Sequence, residues 1–365
     1  GVPSETFIRR HFQKLLPGRT VGICDVVLKE PRGNWGVECD LFEISTRINW
    51  AFHKMRQQVS GGKPIPVYDP LMRFLERSQV EVILGEFLDQ SLPLFRLLRG
   101  TGYRFFVHAH GFDVTKCLSD EKMRDAYLEY GESDGVITMS EVSRRILIDS
   151  GLPENKVHTA HYGIEVPSSP LHEPSETNLI RCLAVGRMAN KKSPIYLLEA
   201  FRRAYAMNNS LRLDYIGAGE LAVMASQFVK CFHLESVVTF HGVQSSSFVQ
   251  EMLRKADMFM QHSITDPSNG DMEGLPLAIL EAMAHGLPVV STRHAGIPEQ
   301  VLEGRTGLLV EEGDVEGMSS MVLQLAADAG FRRVLGQAGY DRARDTFNWE
   351  MNRSRLLAIL NLKQG

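Results

Sequence analysis

The chain has 365 residues, 44% of them hydrophobic and 23% charged, with a formal net charge of −4. This is about twice the length of an average domain, so two domains are expected, each with its own core and neither needing disulfide staples. The mildly acidic balance excludes a general nucleic-acid binder, which needs a basic surface, yet leaves room for a local basic pocket.

In chain order, the opening GVPSETFIRRHF reads as a loop followed by a helix and lacks the pattern of a secretory leader. The strand expected before such a loop is not in the sequence, and Ser4 is a candidate loop contact. Val80–Leu84, Tyr103–His108 and Gly135–Met139 are short apolar runs that read as buried strands, with helical patterns between them. Val166–Thr177 is rich in Pro and Ser, has no periodicity, and is the expected linker. Leu179–Val185, Leu211–Ile216, Val237–Phe240, Met258–Gln261 and Pro288–Ser291 then repeat the strand pattern. Strands alternating with helices mean crossover units and parallel sheets. The expected fold class is therefore α/β, two Rossmann-like doubly wound domains facing across a cleft. Domain boundaries are expected at 1–166 and 178–345, with a terminal helical segment over 346–365. Five scattered cysteines (Cys24, Cys39, Cys117, Cys182, Cys231) show no C-x-x-C and read as reduced thiols. No run of about 18 apolar residues occurs, so no membrane-spanning helix is expected.

Four segments carry chemistry. His108 and His110 close a strand in YRFFVHAHGFD, and strand alternation puts both imidazoles on one face. With Gly111 after them, one can project into the cleft and offer a hydrogen bond or positive charge, and a purely structural pair is the plain alternative. An H-x-H pair also suits a metal, but no third ligand stands beside it in the sequence. In IRCLAVGRMANKKSPIYLLEA a strand ends at Gly186. A loop with Arg187, Lys191 and Lys192 then leads to Ser193 as helix N-cap and Pro194 as first helical residue. Cations beside a helix N-terminus form a diphosphate clamp, with a solvated basic loop as the alternative. LRLDYIGAGELA sets Gly217-x-Gly219-x-x-Ala222 between a strand and a helix. The acid that a dinucleotide fingerprint needs about 20 residues on is missing, so Gly217 reads as a turn passing close to a nucleotide.

The richest stretch is Asp271–Glu299. Pro276 suits the first turn of a helix and Gly286 its end, so a helix is expected over Pro276–His285. Gly274 and Leu275 precede it with free backbone N–H groups, which attract an anion. Glu273 stands just outside that end. Glu281 lies ~7.5 Å further along the axis, on an apolar stripe where an unpaired carboxylate is costly, so a cation or a polar ligand should meet it. Two acids flanking a phosphate-sized site suit a nucleotide sugar, one meeting the sugar and the other the ribose. A salt-bridged Glu281 with a solvated Glu273 is the alternative. No D-x-D occurs, so no metal is expected, and the charge of a leaving diphosphate must be met by protein cations.

Together these residues resemble one family, the family-4 retaining glycosyltransferases with the GT-B fold. The likeness rests on Glu273-x7-Glu281 inside EGLPLAILEAMAHGLPVVST and on GRMANKK, which holds Arg187 and Lys192. YIGAGEL, VTFHGV and AGIPEQVLEGRTGLLV add to it. PSETFIRRH, HAHGFDVT and GDMEGLP look most like bacterial exopolysaccharide-type sugar transferases. Ser193 stands where that family often has Gly, and His161-Tyr162-Gly163 where it often has Asn-Gly.

The resemblance implies retaining, metal-independent transfer of a sugar from a nucleotide-diphosphate sugar, UDP- or GDP-linked, to an acceptor hydroxyl, with no cofactor. It implies an N-terminal acceptor domain, a C-terminal donor domain, and a helix around Trp349–Leu362 crossing back to the first. Arg187 and Lys192 would bind the leaving diphosphate. Gly274, Leu275 and Pro276 would contact donor phosphate and sugar, Glu273 the sugar hydroxyls, Glu281 the ribose, and Gly217 the nucleotide. His110 would approach the transferred sugar. A sugar or lipid-linked acceptor is expected and no nucleic acid. The expected location is cytoplasmic, with peripheral membrane contact through Arg9-Arg10-His11 and Arg144-Arg145 as a further expectation. A nucleotide-sugar epimerase, an NAD-dependent dehydrogenase and a non-catalytic nucleotide-sugar-binding protein are the rival readings.

Overall fold

The computed structural model describes residues 6–25, 41–44, 68–172 and 178–363. Ser4, Cys39 and 173–177 of the expected linker lie outside these residues. All strand pairing is parallel. β1 (Gly22–Asp25) and β2 (Leu41–Ile44) pair with each other. β3 (Val82–Glu86), β4 (Arg104–His108), β5 (Gly135–Thr138) and β6 (Val157–Thr159) form a second sheet in chain order. The third sheet holds β7 (Ile180–Val185), β8 (Leu211–Ile216), β9 (Val238–Gly242), β10 (Met258–Met260), β11 (Val289–Thr292) and β12 (Gly307–Val310). Its order is β12-β11-β10-β7-β8-β9.

Strands covered on both faces need near-continuous apolar runs, and β5, β10, β11 and β12 are buried at every position. Each strand read from the sequence is present. β1, β2, β6 and β12 are not read from the sequence; each has three or four residues, too few for a period to show. The third sheet runs outward from β7 to β9, then returns to β10 beside β7. That reversal opens a crevice at the carboxyl ends of β7 and β10, where α/β sheets bind ligands.

The helix after β7 spans Pro194–Met207 with Pro first, as expected. Ser193 is not a side-chain cap, however: its φ is +40° and its hydroxyl accepts nothing from the helix. A short 3₁₀ turn over Asn190–Lys192 forces this left-handed backbone, which Gly adopts more cheaply. The helix over Leu277–Ala284 starts with Pro276 as its N-cap residue and is followed by Gly286 at φ +79°. It is one residue shorter at each end than expected, because Pro276 is already extended and His285 closes the last turn.

The terminal helix, Trp349–Ile359, packs on the first half of the chain. Leu356, Leu357 and Leu360 join Leu15, Phe106, Ile137 and Ala160 in one cluster. The two crossings run side by side: Ile164 N–H donates to the Phe347 carbonyl and Trp349 N–H to the Ile164 carbonyl, both at 2.8 Å. Cys117, Cys182 and Cys231 are free thiols. No helix among the described residues is long and apolar enough to cross a membrane.

Gly217 has a packing reason to be glycine. A Cβ there would lie 1.9 Å from the Gly186 carbonyl oxygen, at φ +142°. The bare backbone makes room for the neighbouring loop of the protein itself. Gly217→Ala should therefore cost ~2–4 kcal/mol of unfolding free energy, whereas Gly242→Ala, left-handed but in open space, should cost ~1 kcal/mol. Urea unfolding of both variants measures the gap, and equal losses would overturn this account.

Candidate active site

The reversal in the third sheet brings two loops together. Lys192 Nζ donates to Glu273 Oε2 at 3.2 Å, and Lys191 Nζ donates to Asp271 Oδ1 at 3.0 Å and the Met272 carbonyl at 3.1 Å. Burial pushes the Glu273 carboxyl up, but Lys192 and Lys191 more than offset this and hold it below its ordinary value. Its second oxygen, Oε1, is buried and has no hydrogen-bond partner. Buried acceptors are normally satisfied, so this oxygen is placed for a ligand donor. Glu273 N–H donates to His294 Nε2 at 3.0 Å, while His294 Nδ1 faces Glu312 Oε1 at 2.6 Å. That pairing fixes the imidazole tautomer and anchors the Glu273 turn.

The amides of Gly274 and Leu275 donate to no acceptor among the described residues. They stand at the N-terminus of helix Leu277–Ala284, as expected for an anion site. Arg187 is exposed on the loop after β7 and has no ion-pair partner among the described residues. Lys192, Glu273, Gly274 and Leu275 thus stand together, and Arg187 lies on the same loop as Lys192. Pro276 ends the turn, and its carbonyl accepts from Gln300 Nε2 at 3.0 Å. Glu281 sits further along the helix, where burial raises its carboxyl and Arg10 opposes the rise. The cation expected to meet Glu281 is therefore Arg10, acting through space.

Arg10 is turned inward. It donates to the Gly163 carbonyl and lies 5.7 Å over the Trp349 ring. His11 is buried as well. Arg144 is held by the Val157 carbonyl and Glu154 at 3.0 Å each. This corrects the reading of both clusters as basic faces: of the five residues only Arg9 and Arg145 are exposed.

On the opposite wall, His108 and His110 share a face as expected, with ring centroids 4.5 Å apart. His110 Nε2 lies 2.9 Å from Glu86 Oε2, and its Nδ1 meets the Tyr162 hydroxyl. Its backbone N–H donates to Asp113 Oδ1 at 2.7 Å. Burial, with the nearby His108, lowers His110 to about 4. It is neutral at pH 7, which removes the reading as a positive charge, and both ring nitrogens are engaged. Asp113 is itself buried and pushed up to about 8 by desolvation, although it accepts the Leu88 and His110 amides.

The walls touch through glycine. A Cβ on Gly111 would come within 2.9 Å of the Gly274 nitrogen, and one on Gly296 within 2.3 Å of the Gly274 carbonyl oxygen. Met272 N–H donates to Thr115 Oγ1 at 3.2 Å. Glu299 accepts the amides of Glu141 and Val142 and pairs with His161 at 2.8 Å.

Sequence reasoning missed Glu86, Tyr162, Asp113, His294 and Glu312. Two had readable signals. A charged residue closing an apolar strand, as in VEVILGE, marks a carboxyl end. An Asp three residues after His110 matches a capping box, and the structure shows one.

Comparison with known proteins fits this geometry. Residues 180–328 match the family described as "Glycosyl transferases group 1". The amylovoran biosynthesis glycosyltransferase AmsK of Erwinia amylovora is 30% identical over 66% of this chain and 58% of that protein. The putative colanic acid biosynthesis glycosyltransferase WcaL of Escherichia coli is 32% identical over 58% of this chain and 52% of its own length. The chain thus spans little more than half the length of these curated relatives. The fold is GT-B. The crystal structure of Anabaena Alr3699/HepE in complex with UDP superposes with a TM-score of 0.72 at 16% identity, covering 88% of this chain and 86% of that one. The lipopolysaccharide outer core galactosyltransferase WaaB gives 0.69 at 14% identity, covering 90% and 85%.

His262 follows β10, on the loop that leads to Glu273. It is fully buried, and its Nε2 accepts the Gly313 amide at 3.0 Å. Burial lowers it from 6.5 to about 4, with Asp314 and Glu312 opposing. The unfolded chain therefore binds this proton first as pH falls. The stabilisation is complete above 6.5 and is lost as pH drops through 4, amounting to at most ~3 kcal/mol. His262→Gln should flatten the fall in urea-unfolding stability between pH 6.5 and 4. A pH dependence identical to the parent's would contradict this.

Proposed function

We propose that this chain transfers a sugar from a nucleotide-diphosphate sugar to an acceptor hydroxyl, with retention of anomeric configuration, in bacterial exopolysaccharide assembly. One observation carries the reading. In the part of the chain that matches group 1 glycosyl transferases, Lys192, on the same loop as exposed Arg187, pairs with a buried, half-satisfied Glu273 beside two amides that donate to no acceptor among the described residues.

The chemistry follows from that placement. Cleavage of the sugar–phosphate bond builds negative charge on the diphosphate and positive charge on the sugar ring. Arg187, Lys192 and the amides of Gly274 and Leu275 meet the first in a preorganised way. Glu273 Oε1 accepts a sugar hydroxyl, and Glu281 accepts the ribose hydroxyls. His110, neutral and held by Glu86 and Tyr162, offers its edge to the transferred sugar. No side chain is placed as a separate base. The leaving phosphate oxygen takes the acceptor's proton while the acceptor attacks from the same face, which gives retention. Gly111 lies against the Gly274 amide, so donor entry parts the two walls and closure follows binding.

The donor is UDP- or GDP-linked and the acceptor is a sugar or lipid-linked sugar bound by the first domain. The colanic acid and amylovoran names of the relatives and the UDP held by the Anabaena neighbour support these classes. Peripheral membrane contact would have to come through Arg9 and Arg145, the cluster residues that remain exposed.

The test incubates the chain with UDP- and GDP-sugars and saccharide or polyprenyl-linked acceptors, reading nucleoside diphosphate release and product anomer by NMR. Acceptor-dependent release with retained configuration is expected. Binding without release, or donor epimerisation without an acceptor, would replace the proposal with a rival reading. Arg187→Ala and Lys192→Ala should each lower kcat about 10²–10³-fold, or ~2.7–4 kcal/mol. Glu281→Gln should act mainly on donor KM. Near-parental turnover by the Arg187/Lys192 double variant would remove the clamp.

A further inference from the structure

A second cluster lies on the first sheet, apart from the diphosphate clamp. Glu86 ends β3 and His108 ends β4, and the two are paired in register on adjacent strands, so their side chains leave the sheet together. His11 covers them from above. It is the first residue of a π-helical turn, His11–Leu15, that ends the N-terminal helix. One ligand atom from each of His11, Glu86 and His108 lies within 4.8 Å of the others. His11 Nδ1 is 2.6 Å from Glu86 Oε1, and His108 Nδ1 is 3.3 Å from Glu86 Oε2.

His108 is the telling residue. It has no solvent exposure; its Nδ1 faces only Glu86 Oε2, at 3.3 Å and out of line for a good hydrogen bond, and its Nε2 has no partner among the described residues. A buried imidazole satisfied this poorly is costly, and sugar transfer at the clamp gives it no task.

We propose that His11, Glu86 and His108 form a binding site for a borderline divalent transition ion, Zn²⁺ by its donor set. Two imidazoles and one carboxylate are a recurrent tetrahedral set that leaves a fourth position for water. Bonds of ~2.1 Å to a tetrahedral ion put ligand atoms roughly 3.4 Å apart, so the cluster needs only small side-chain adjustments. The ion replaces the hydrogen between His11 Nδ1 and Glu86, which leaves as a proton. Its structural effect is to pin the N-terminal helix onto the ends of β3 and β4. It takes no part in bond cleavage; Glu86, whose Oε2 also lies 2.9 Å from His110 Nε2, is the one residue it shares with the transfer site as described.

The experiment titrates the metal-stripped full chain with Co²⁺ and then with Zn²⁺. One saturable equivalent with visible ligand-field bands is expected, displaced by Zn²⁺, with a rise in Tm on Zn²⁺ binding. His108→Ala should weaken binding by more than about 100-fold, beyond the 10–100-fold cost of losing a merely supporting group. His11→Gln, on the covering helix rather than in the sheet, should do the same and decides the matter if His108→Ala does not fold. His233→Ala, at an exposed histidine, should change nothing. A parent chain with no saturable equivalent, or binding that survives His11→Gln, would overturn the site. UDP binding by the same preparation is read separately, so the two proposals fail independently.

Discussion

The Lys192–Glu273 ion pair is the interaction on which the rest of the site depends. Two opposite charges taken out of water are tolerated only together, since either alone would be a buried uncompensated ion. The strand reversal at β7 and β10 brings their loops to one crevice. The pair then holds the loops at a distance set by a single hydrogen bond. Lys191 and Asp271 repeat the arrangement one step outward. The lysines and acids thus balance one another in charge. In the proposed reaction a diphosphate would compete with Glu273 for Lys192, freeing both Glu273 oxygens for hydroxyls. The surplus negative charge would fall to exposed Arg187 and the helix amides, which have no partner to lose among the described residues.

The opposite wall is built on another principle. There the ionisable groups are buried and held near neutrality or locked to one another. His110 is neutral, Asp113 is pushed toward its protonated form, and Glu86 is kept ionised by the histidines around it. Few net charges face the clamp from this side. A developing positive charge on a sugar ring would therefore meet oriented hydrogen-bond groups rather than a competing cation. The asymmetry matches the charge separation of the bond being broken: cations lie beneath the diphosphate, and acceptors and neutral dipoles lie around the ring.

Much of this was legible in the sequence, for identifiable reasons. Parallel strands buried on both faces write themselves as apolar runs, so the alternation from Val80 onward showed the architecture. Pro194 and Pro276 sit at helix starts and so located both anion-binding ends. What stayed hidden is what depends on long-range placement. Glu86 and His11 are far apart in sequence from His108 and meet it only because β3 pairs with β4 and a helix folds over both. Arg10 read as a surface charge because nothing local shows that it faces Glu281 and Trp349. Ser193 read as a cap because a favourable residue type stood in the right place, whereas the preceding 3₁₀ turn sets its backbone. Gly217 fitted a nucleotide turn by pattern, yet Gly186 occupies the space its missing side chain leaves.

The glycine seam links the two walls to the proposed reaction. A Cβ on Gly111 would strike the Gly274 backbone, one on Gly274 the Met139 sulfur, and one on Gly296 the Gly274 carbonyl within the same half of the chain. The backbones can therefore approach until the Gly274 amide is covered, which shuts water out of the place where phosphate must bind. Polar links at the rim, Thr115 to Met272 and Glu299 to the amides of Glu141 and Val142, are single hydrogen bonds that water can replace. Opening costs little at the rim and exposes strong anion-binding groups at the centre, so donor binding and closure drive each other. The side-by-side crossings at Ile164 and Phe347 bring both chain connections to one place, where the proposed opening would hinge. A site that must be dry during bond cleavage and open for exchange is met here by bare backbone at its middle and replaceable bonds at its edge.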